Sequence, residues 1–159
     1  MTQTTIAKRF ILPAVLMLGL LAPASASGAM SCEASDKSVT FSAGSGLSRG
    51  GGQFLNLKGQ LRINAPGVPQ DLRKLDLGED DVTQKWLYGK ELKLRFYRER
   101  DSKLPHGTLE FVVETRESKD DEDTYTGTYL LWVLSHESDK DNDGKRVTLR
   151  GRVTCSTGE

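Results

Sequence analysis

The sequence is poor in the residue types that most often hold metals and cofactors. It has 159 residues but only two histidines and two cysteines, and His106 and His136 lie in different segments without the spacing of a zinc site. We therefore expect no metal centre and no cofactor. Serines and carboxylates are plentiful, and a catalytic triad assembles in space rather than along the sequence. A hydrolase thus stays open as the least favoured alternative to a protein that is not an enzyme.

The chain also lacks a surplus of charge of either sign. It carries 22 basic and 22 acidic side chains. Proteins that bind nucleic acids or anionic membranes by general electrostatics depend on a large positive surplus. We therefore expect no nucleic-acid partner.

No apolar run is long enough to cross a bilayer. The longest, from Phe10 to Leu21, has about 12 residues, against the roughly 20 that a membrane-spanning helix needs. It follows Lys8 and Arg9 and precedes Ala24-Ser25-Ala26, so residues 1–26 have the three parts of a secretory signal peptide. We predict that export removes them, which leaves a periplasmic or secreted protein with no transmembrane segment in the mature chain.

Cys32 and Cys155 lie near opposite ends of that mature chain. Thiols oxidise outside the cytoplasm, so we predict one intramolecular disulfide. On the chain-entropy model, closing so long a loop stabilises the fold by at most about 5 kcal/mol. A lipid-modified Cys32 and an intermolecular bridge are the two less favoured alternatives.

Alternation of apolar and polar residues with a period of two dominates the mature chain and predicts β-strands. Apolar residues share one parity from Leu55 to Ile63, and the pattern returns in four later segments that begin near residues 92, 109, 125 and 147. Glycines stand at inward positions 59, 127 and 151, which favours a sheet that coils strongly or closes on itself.

These patterns predict an all-β fold: a small antiparallel up-and-down barrel, or a barrel-like sandwich, of about six to eight strands with one short helix, preceded by the signal peptide. We interpret residues 27–37 as an exposed N-terminal lead-in and residues 38–159 as a single β domain. The short helix is expected between Asp80 or Asp81, which would cap its first turn, and Gly89, which would end it.

The segment from Asp139 to Gly144 matches the first half of a calcium-binding loop. Asp139, Asp141 and Asp143 would supply oxygens, and Gly144 permits the sharp turn. The second half fails, because Arg150 stands where a bidentate glutamate is needed. Aspartate before glycine also suits an ordinary hairpin turn. We predict a solvated turn, with weak calcium binding as the alternative.

The glycine-rich segment from Ser42 to Gln53 predicts a mobile connector. It contains Arg49, which on a flexible arm could reach a partner's cleft or an anion. The segment does not satisfy a dinucleotide fingerprint, since Arg49 occupies the place of the third glycine and no helix is expected to follow.

The strand from Thr124 to Leu134 gives the sharpest functional signal. Its outward side changes from threonines to Leu130, Trp132 and Leu134. Either the short helix near Trp86 or an adjoining loop covers these three residues, or they form an exposed apolar patch with the composition of a protein-binding hot spot.

We therefore predict a small exported binding or accessory protein that acts non-covalently on another envelope or secreted protein. Leu130, Trp132, Leu134 and Arg49 are its candidate contact residues. The first alternative is a carrier of a small apolar ligand, because inward glycines leave room inside a barrel that Tyr125 and Tyr129 could line.

Overall fold

The computed structural model describes residues 28–48, 53–138 and 143–158, and in these ranges the chain is all-β. Nine antiparallel strands form one sheet, and the helical elements are two 3-10 turns, at Gln70–Leu72 and Glu79–Asp81. Within the described ranges, no helix has the length and apolar character needed to cross a membrane. The strands are β1 (Ala29–Ser35), β2 (Val39–Leu47), β3 (Phe54–Ile63), β4 (Lys74–Leu77), β5 (Val82–Tyr88), β6 (Glu91–Glu99), β7 (Gly107–Glu117), β8 (Thr124–Ser135) and β9 (Lys145–Gly158).

The sheet curls into a nearly closed barrel, as predicted. Its strand order is β4-β3-β2-β1-β9-β8-β7-β6-β5, so the first and last strands of the chain are neighbours and the two sheet edges belong to β4 and β5. Strands β4 and β5 run in the same direction and are joined by the turn Glu79–Asp81. They form one bent strand whose first half pairs with β3 and whose second half pairs with β6. Nine strands are found where six to eight were predicted, because β1 and β5 lie in segments that were not expected to be strands.

The short helix predicted after Asp80 or Asp81 is wrong, because those residues lead into β5. Asp81 does cap a turn: its Oδ2 accepts a hydrogen bond of 2.8 Å from the Gly78 amide, but the turn is a single 3-10 turn. The following residues alternate with a period of two and pair with β6. Gly89, with φ of 56°, serves the β5–β6 hairpin instead of a helix end.

The exposed lead-in predicted at 27–37 is also wrong, because most of it is strand β1. Met30, Cys32 and Ala34 alternate with exposed small or polar residues and are buried in the core. The disulfide is confirmed: Cys32 and Cys155 lie directly opposite each other on β1 and β9, with their Cα atoms 3.9 Å apart. Such a bond indicates an oxidising, exported location. The signal peptide itself lies outside the described residues.

Aromatic rings fill the barrel interior. The centroid of the Phe41 ring lies 4.5 Å from that of Phe111 and 5.8 Å from that of Phe96, and Phe111 stacks on Tyr129 at 5.3 Å. All four side chains are buried. The interior is therefore a packed aromatic core, in which rings pair at their preferred distances.

Tyr129 also links β8 to the β1–β2 turn. Its hydroxyl donates a hydrogen bond of 2.5 Å to Oδ2 of Asp36, and burial together with this bond raises the pKa of Tyr129. The ring lies over Gly151 of β9, where a Cβ atom would stand 2.4 Å from both Tyr129 Cε1 and Asp36 Oδ2. Since β9 pairs with β1 only from Thr154 onward, this contact holds the wall together where the β1–β9 ladder ends.

The seam between β4 and β6 is bridged by arginine side chains instead of a backbone ladder. Arg98 of β6 donates to both carboxylate oxygens of Asp81 and, at 2.9 Å, to the carbonyl oxygen of Asp76 in β4. Arg100 donates two hydrogen bonds of 2.8 Å to Asp71. Bidentate pairs of this kind are the stronger class of ion pair, and they fix geometry as well as charge. These side chains close the seam at the end where β4 pairs with β3, which we call its upper part.

Burial and ion pairing act in opposite directions on Asp81. Desolvation alone would raise its pKa, but the hydrogen bonds from Arg98 and from the Gly78 amide outweigh it and hold the pKa below its ordinary value. A carboxylate with a depressed pKa in the folded state stabilises the fold above its unfolded-state pKa, and this stability is lost as the pH falls through the folded-state value.

The substitution Gly151→Ala should destabilise the barrel, because its Cβ atom would collide with Tyr129 and Asp36. We expect the free energy of unfolding to fall by about 1–3 kcal/mol, the usual cost of overpacking. Gly158→Ala is the matched control on the same strand, since a Cβ atom there meets nothing within 4 Å. Urea denaturation of both variants measures the effect, and equal stabilities would contradict the packing described for Tyr129.

The substitution Asp81→Asn should weaken the seam at neutral pH. We expect a loss of about 1 kcal/mol, at the low end for a charged hydrogen bond because the Arg98 side chain is partly solvated. The difference from the unmodified protein should shrink as the pH falls below about 4, the ordinary range of an aspartate. Melting temperature measured against pH checks this.

Asp80→Asn, one residue away and exposed, is the control for that experiment. It should leave both the stability at neutral pH and its acid dependence unchanged. Identical behaviour of the two variants would show that Asp81 does not contribute to seam closure.

Candidate functional site

The outer face of β8 carries the three apolar residues singled out from the sequence. Leu130, Trp132 and Leu134 point outward because the residues between them are buried in the core. Trp132 is 41% exposed, and its two leucine neighbours are half-buried. The predicted parity of this strand is confirmed.

Strand register places Trp132 at the centre of a shallow depression. Glu110 of β7 and Thr148 of β9 lie directly opposite Trp132 on either side, and Tyr97 of β6 lies beyond Glu110. The depression has a volume of about 290 Å³, and its rim includes Arg146 of β9. We call the surface formed by Tyr97, Glu110, Leu130, Trp132, Leu134 and Arg146 the Trp132 face.

The charges around this face differ between its two sides. On the β6 side, Arg95 pairs with Glu110 at 2.6 Å. The hydroxyl of Tyr97 donates a hydrogen bond of 2.8 Å to Glu99, which raises the pKa of Tyr97.

On the β9 side, Arg146 lies opposite Leu134 and Arg150 lies opposite Leu130. Both arginines are exposed, and neither takes part in the six ion pairs formed between residues that the structure describes. The apolar row of β8 thus borders a basic strand whose charges are available to a ligand.

The helix expected to cover Leu130, Trp132 and Leu134 does not exist. The residues assigned to it form β5, and Trp86 lies on the outer face of the same sheet, three strands away from β8. The expectation that a short helix near Trp86 covers these three residues is therefore wrong.

The other predicted site residues lie apart from this face or outside the described ranges. Arg49, Asp139 and Asp141 belong to segments that the structure does not describe, so a role for Arg49 and weak calcium binding both stay predictions. Gly44 and Gly46, expected in a mobile connector, lie within β2. In the described part of the chain, no group of three or more histidine, cysteine or acidic residues is placed to hold a metal ion.

The two histidines, distant in the sequence, come together at one end of the barrel. Their ring centroids lie 5.7 Å apart, and the His136 amide donates to the His106 carbonyl oxygen at 2.9 Å. No local pattern predicts this contact, because it depends on the register of β7 with β8.

A Cβ atom at any of the three inward glycines would meet a neighbouring atom within 3.0 Å, although Gly59 also lines an open depression of about 430 Å³. Gly151 borders the ring of Tyr129, Gly59 borders Phe41, and a Cβ atom at Gly127 would meet the β7 backbone within 2.0 Å. The observation that suggested a carrier of an apolar ligand is thus explained by close packing of the chain itself.

Comparison with known proteins adds no relative: no family model, curated protein or solved structure matches this chain. The functional inference therefore depends on the geometry of the described residues.

Proposed function

We propose that this protein is an exported binding protein of the periplasm or the extracellular space, which captures another protein non-covalently through the Trp132 face. The observation that carries the proposal is the exposure of Trp132 at the centre of an apolar row on a rigid barrel wall. Tryptophan is among the residues most enriched at the energetic centres of protein interfaces.

The rigidity of the wall favours binding. Trp132 stands on a strand that is paired along its length on both sides, with β7 and with β9. A backbone held in this way loses little conformational freedom when a partner covers it, so less of the interaction energy is spent on ordering. Beneath it, Leu131 and Val133 are buried in the core.

The surrounding charges indicate the chemistry of the partner. An apolar row next to exposed Arg146 and Arg150 fits a surface that presents apolar side chains beside carboxylates. Arginine pairs with carboxylates in a bidentate geometry and is itself enriched at interfaces. The partner we infer is therefore an acidic surface of another exported protein.

Replacement of Trp132 by alanine tests this proposal. Partners are captured on the immobilised protein from an envelope extract, identified, purified and titrated against each variant. We expect Trp132→Ala to weaken binding by about 2 kcal/mol, or roughly 30-fold in Kd, the size of an interface hot spot. Its melting temperature should stay unchanged, because the side chain is on the outer face.

Leu104→Ala is the control, since Leu104 is equally exposed but lies in the β6–β7 loop. It should bind the partner as the unmodified protein does. If Trp132→Ala retains full affinity, the Trp132 face is not the binding site. If Trp132→Ala loses stability instead of affinity, the tryptophan packs structurally.

A further inference from the structure

The lower part of the barrel seam is open. Strand β3 pairs with β4 through residues 59–62, which leaves residues 54–58 without a strand neighbour on that side within the described ranges. Strand β5 pairs with β6 alone. Because neighbouring strands are antiparallel throughout the sheet, β3 and β5 run in opposite directions below the closed upper seam. We call these two unpaired edges, residues 54–58 and Val82–Tyr88, the open seam.

Unpaired strand edges present rows of backbone donors and acceptors that readily accept another strand. Strand β5 is unusually accessible, since no residue between Val82 and Tyr88 is fully buried. Lys85 lies opposite Leu94, which is buried, so it shares the inward face of the sheet and is nevertheless exposed. The inward side of β5 therefore communicates with solvent through the open seam.

Exposed apolar side chains lie on both sides of the open seam. Leu55 of β3 is 45% exposed, and Trp86 and Tyr88 of β5 are 47% and 76% exposed. The bulge that pairs Gly46 with Leu55 turns this leucine outward, although the sequence parity had predicted it inward. Apolar side chains beside unpaired backbone are the two features of a surface to which a strand adds.

The two edges of the open seam carry two lysines and no acidic residue, whereas the turn Glu79–Asp81, which contacts β3, is acidic. Lys58 of β3 and Lys85 of β5 are both exposed and stand outside the ion pairs found among the described residues, whereas Lys90 pairs with Glu117 and Lys93 with Glu91. An inward-facing lysine on an edge strand is a device that prevents edge-to-edge association. It disfavours a second copy of the same strand and admits a strand that brings a carboxylate.

We propose that the open seam binds an extended, acidic peptide segment of another protein as an added β-strand along β5. Backbone hydrogen bonds to β5 provide affinity, and a carboxylate placed next to Lys85 provides specificity. The site is separate from the Trp132 face, which lies on β8, and does not depend on it.

Selection of displayed random seven-residue peptides on the full-length mature protein tests the proposal. We expect peptides rich in aspartate and glutamate from the unmodified protein, and peptides rich in lysine and arginine from Lys85→Glu. Lys103→Glu, an exposed lysine in the β6–β7 loop, is the matched control and should select the acidic peptides. The proposal is overturned if no peptide is enriched, or if Lys85→Glu selects peptides of the same composition as the unmodified protein does.

A second measurement separates strand addition from side-chain attraction. The best acidic peptide is synthesised with its backbone amides N-methylated at alternate positions, which removes donors but keeps every charge. We expect affinity to fall about tenfold or more in one of the two methylation patterns, because only one set of amides faces β5. Equal affinity for both patterns and the unmethylated peptide contradicts strand addition.

Two controls identify the remaining outcomes. Trp132→Ala should bind the acidic peptide normally, so loss of binding there would assign the peptide to the Trp132 face instead. Sedimentation of the protein alone should show a monomer. A dimer that dissociates on Trp86→Ala would show that a second copy occupies the open seam and would overturn the peptide proposal.

Discussion

The fold depends on one constraint: the first and last strands of the chain must lie side by side. Cys32 and Cys155 fix that pairing covalently, from directly opposed positions on β1 and β9. The ladder between these strands is short, ending at Glu33 and Thr154. Where this ladder ends, the hydrogen bond from Tyr129 to Asp36 connects β8 to the β1–β2 turn. Gly151 leaves the space that the tyrosine ring needs. With β1 and β9 held together in this way, β2 to β4 extend the sheet on one side and β8 to β5 extend it on the other.

Because β1 and β9 pair with each other, the two edges of the sheet belong to β4 and β5, near the middle of the sequence. There β4 and β5 divide one bent strand between two neighbours, and Arg98 and Arg100 supply the bridges that a ladder would otherwise provide. The lower part of the seam has no such bridges among the described residues. The molecule thus combines a fully paired wall, on which Trp132 is exposed, with an unpaired strand edge at β5. These two features are the basis of the two binding proposals.

The features predicted correctly from the sequence are those that have a clear local pattern. Alternation with a period of two identified β3 and β6 to β9, and the two cysteines identified the disulfide. The errors arose where a local signal had two physical meanings. Asp81 and Gly89 suit the start and end of a helix, but here Asp81 caps a 3-10 turn and Gly89 lies in a hairpin. The residues between them form a strand because they pair with β6. Contacts such as Tyr129 with Asp36, separated by 93 residues, depend on register, which no local pattern encodes. The open seam was missed for the same reason, because an unpaired edge is a property of the whole sheet.

Unfolding by urea with and without a reductant tests the central constraint most directly, because reduction removes only the covalent link and keeps both sulfur atoms. Complete reduction, verified by thiol titration, should lower the free energy of unfolding by about 3–5 kcal/mol, as expected for a bond that closes a loop of more than about 100 residues. It should also speed amide exchange in β1 and β9 before exchange in β6 and β7. An unchanged unfolding midpoint after complete reduction would show that the barrel closes without the disulfide and would contradict its central role.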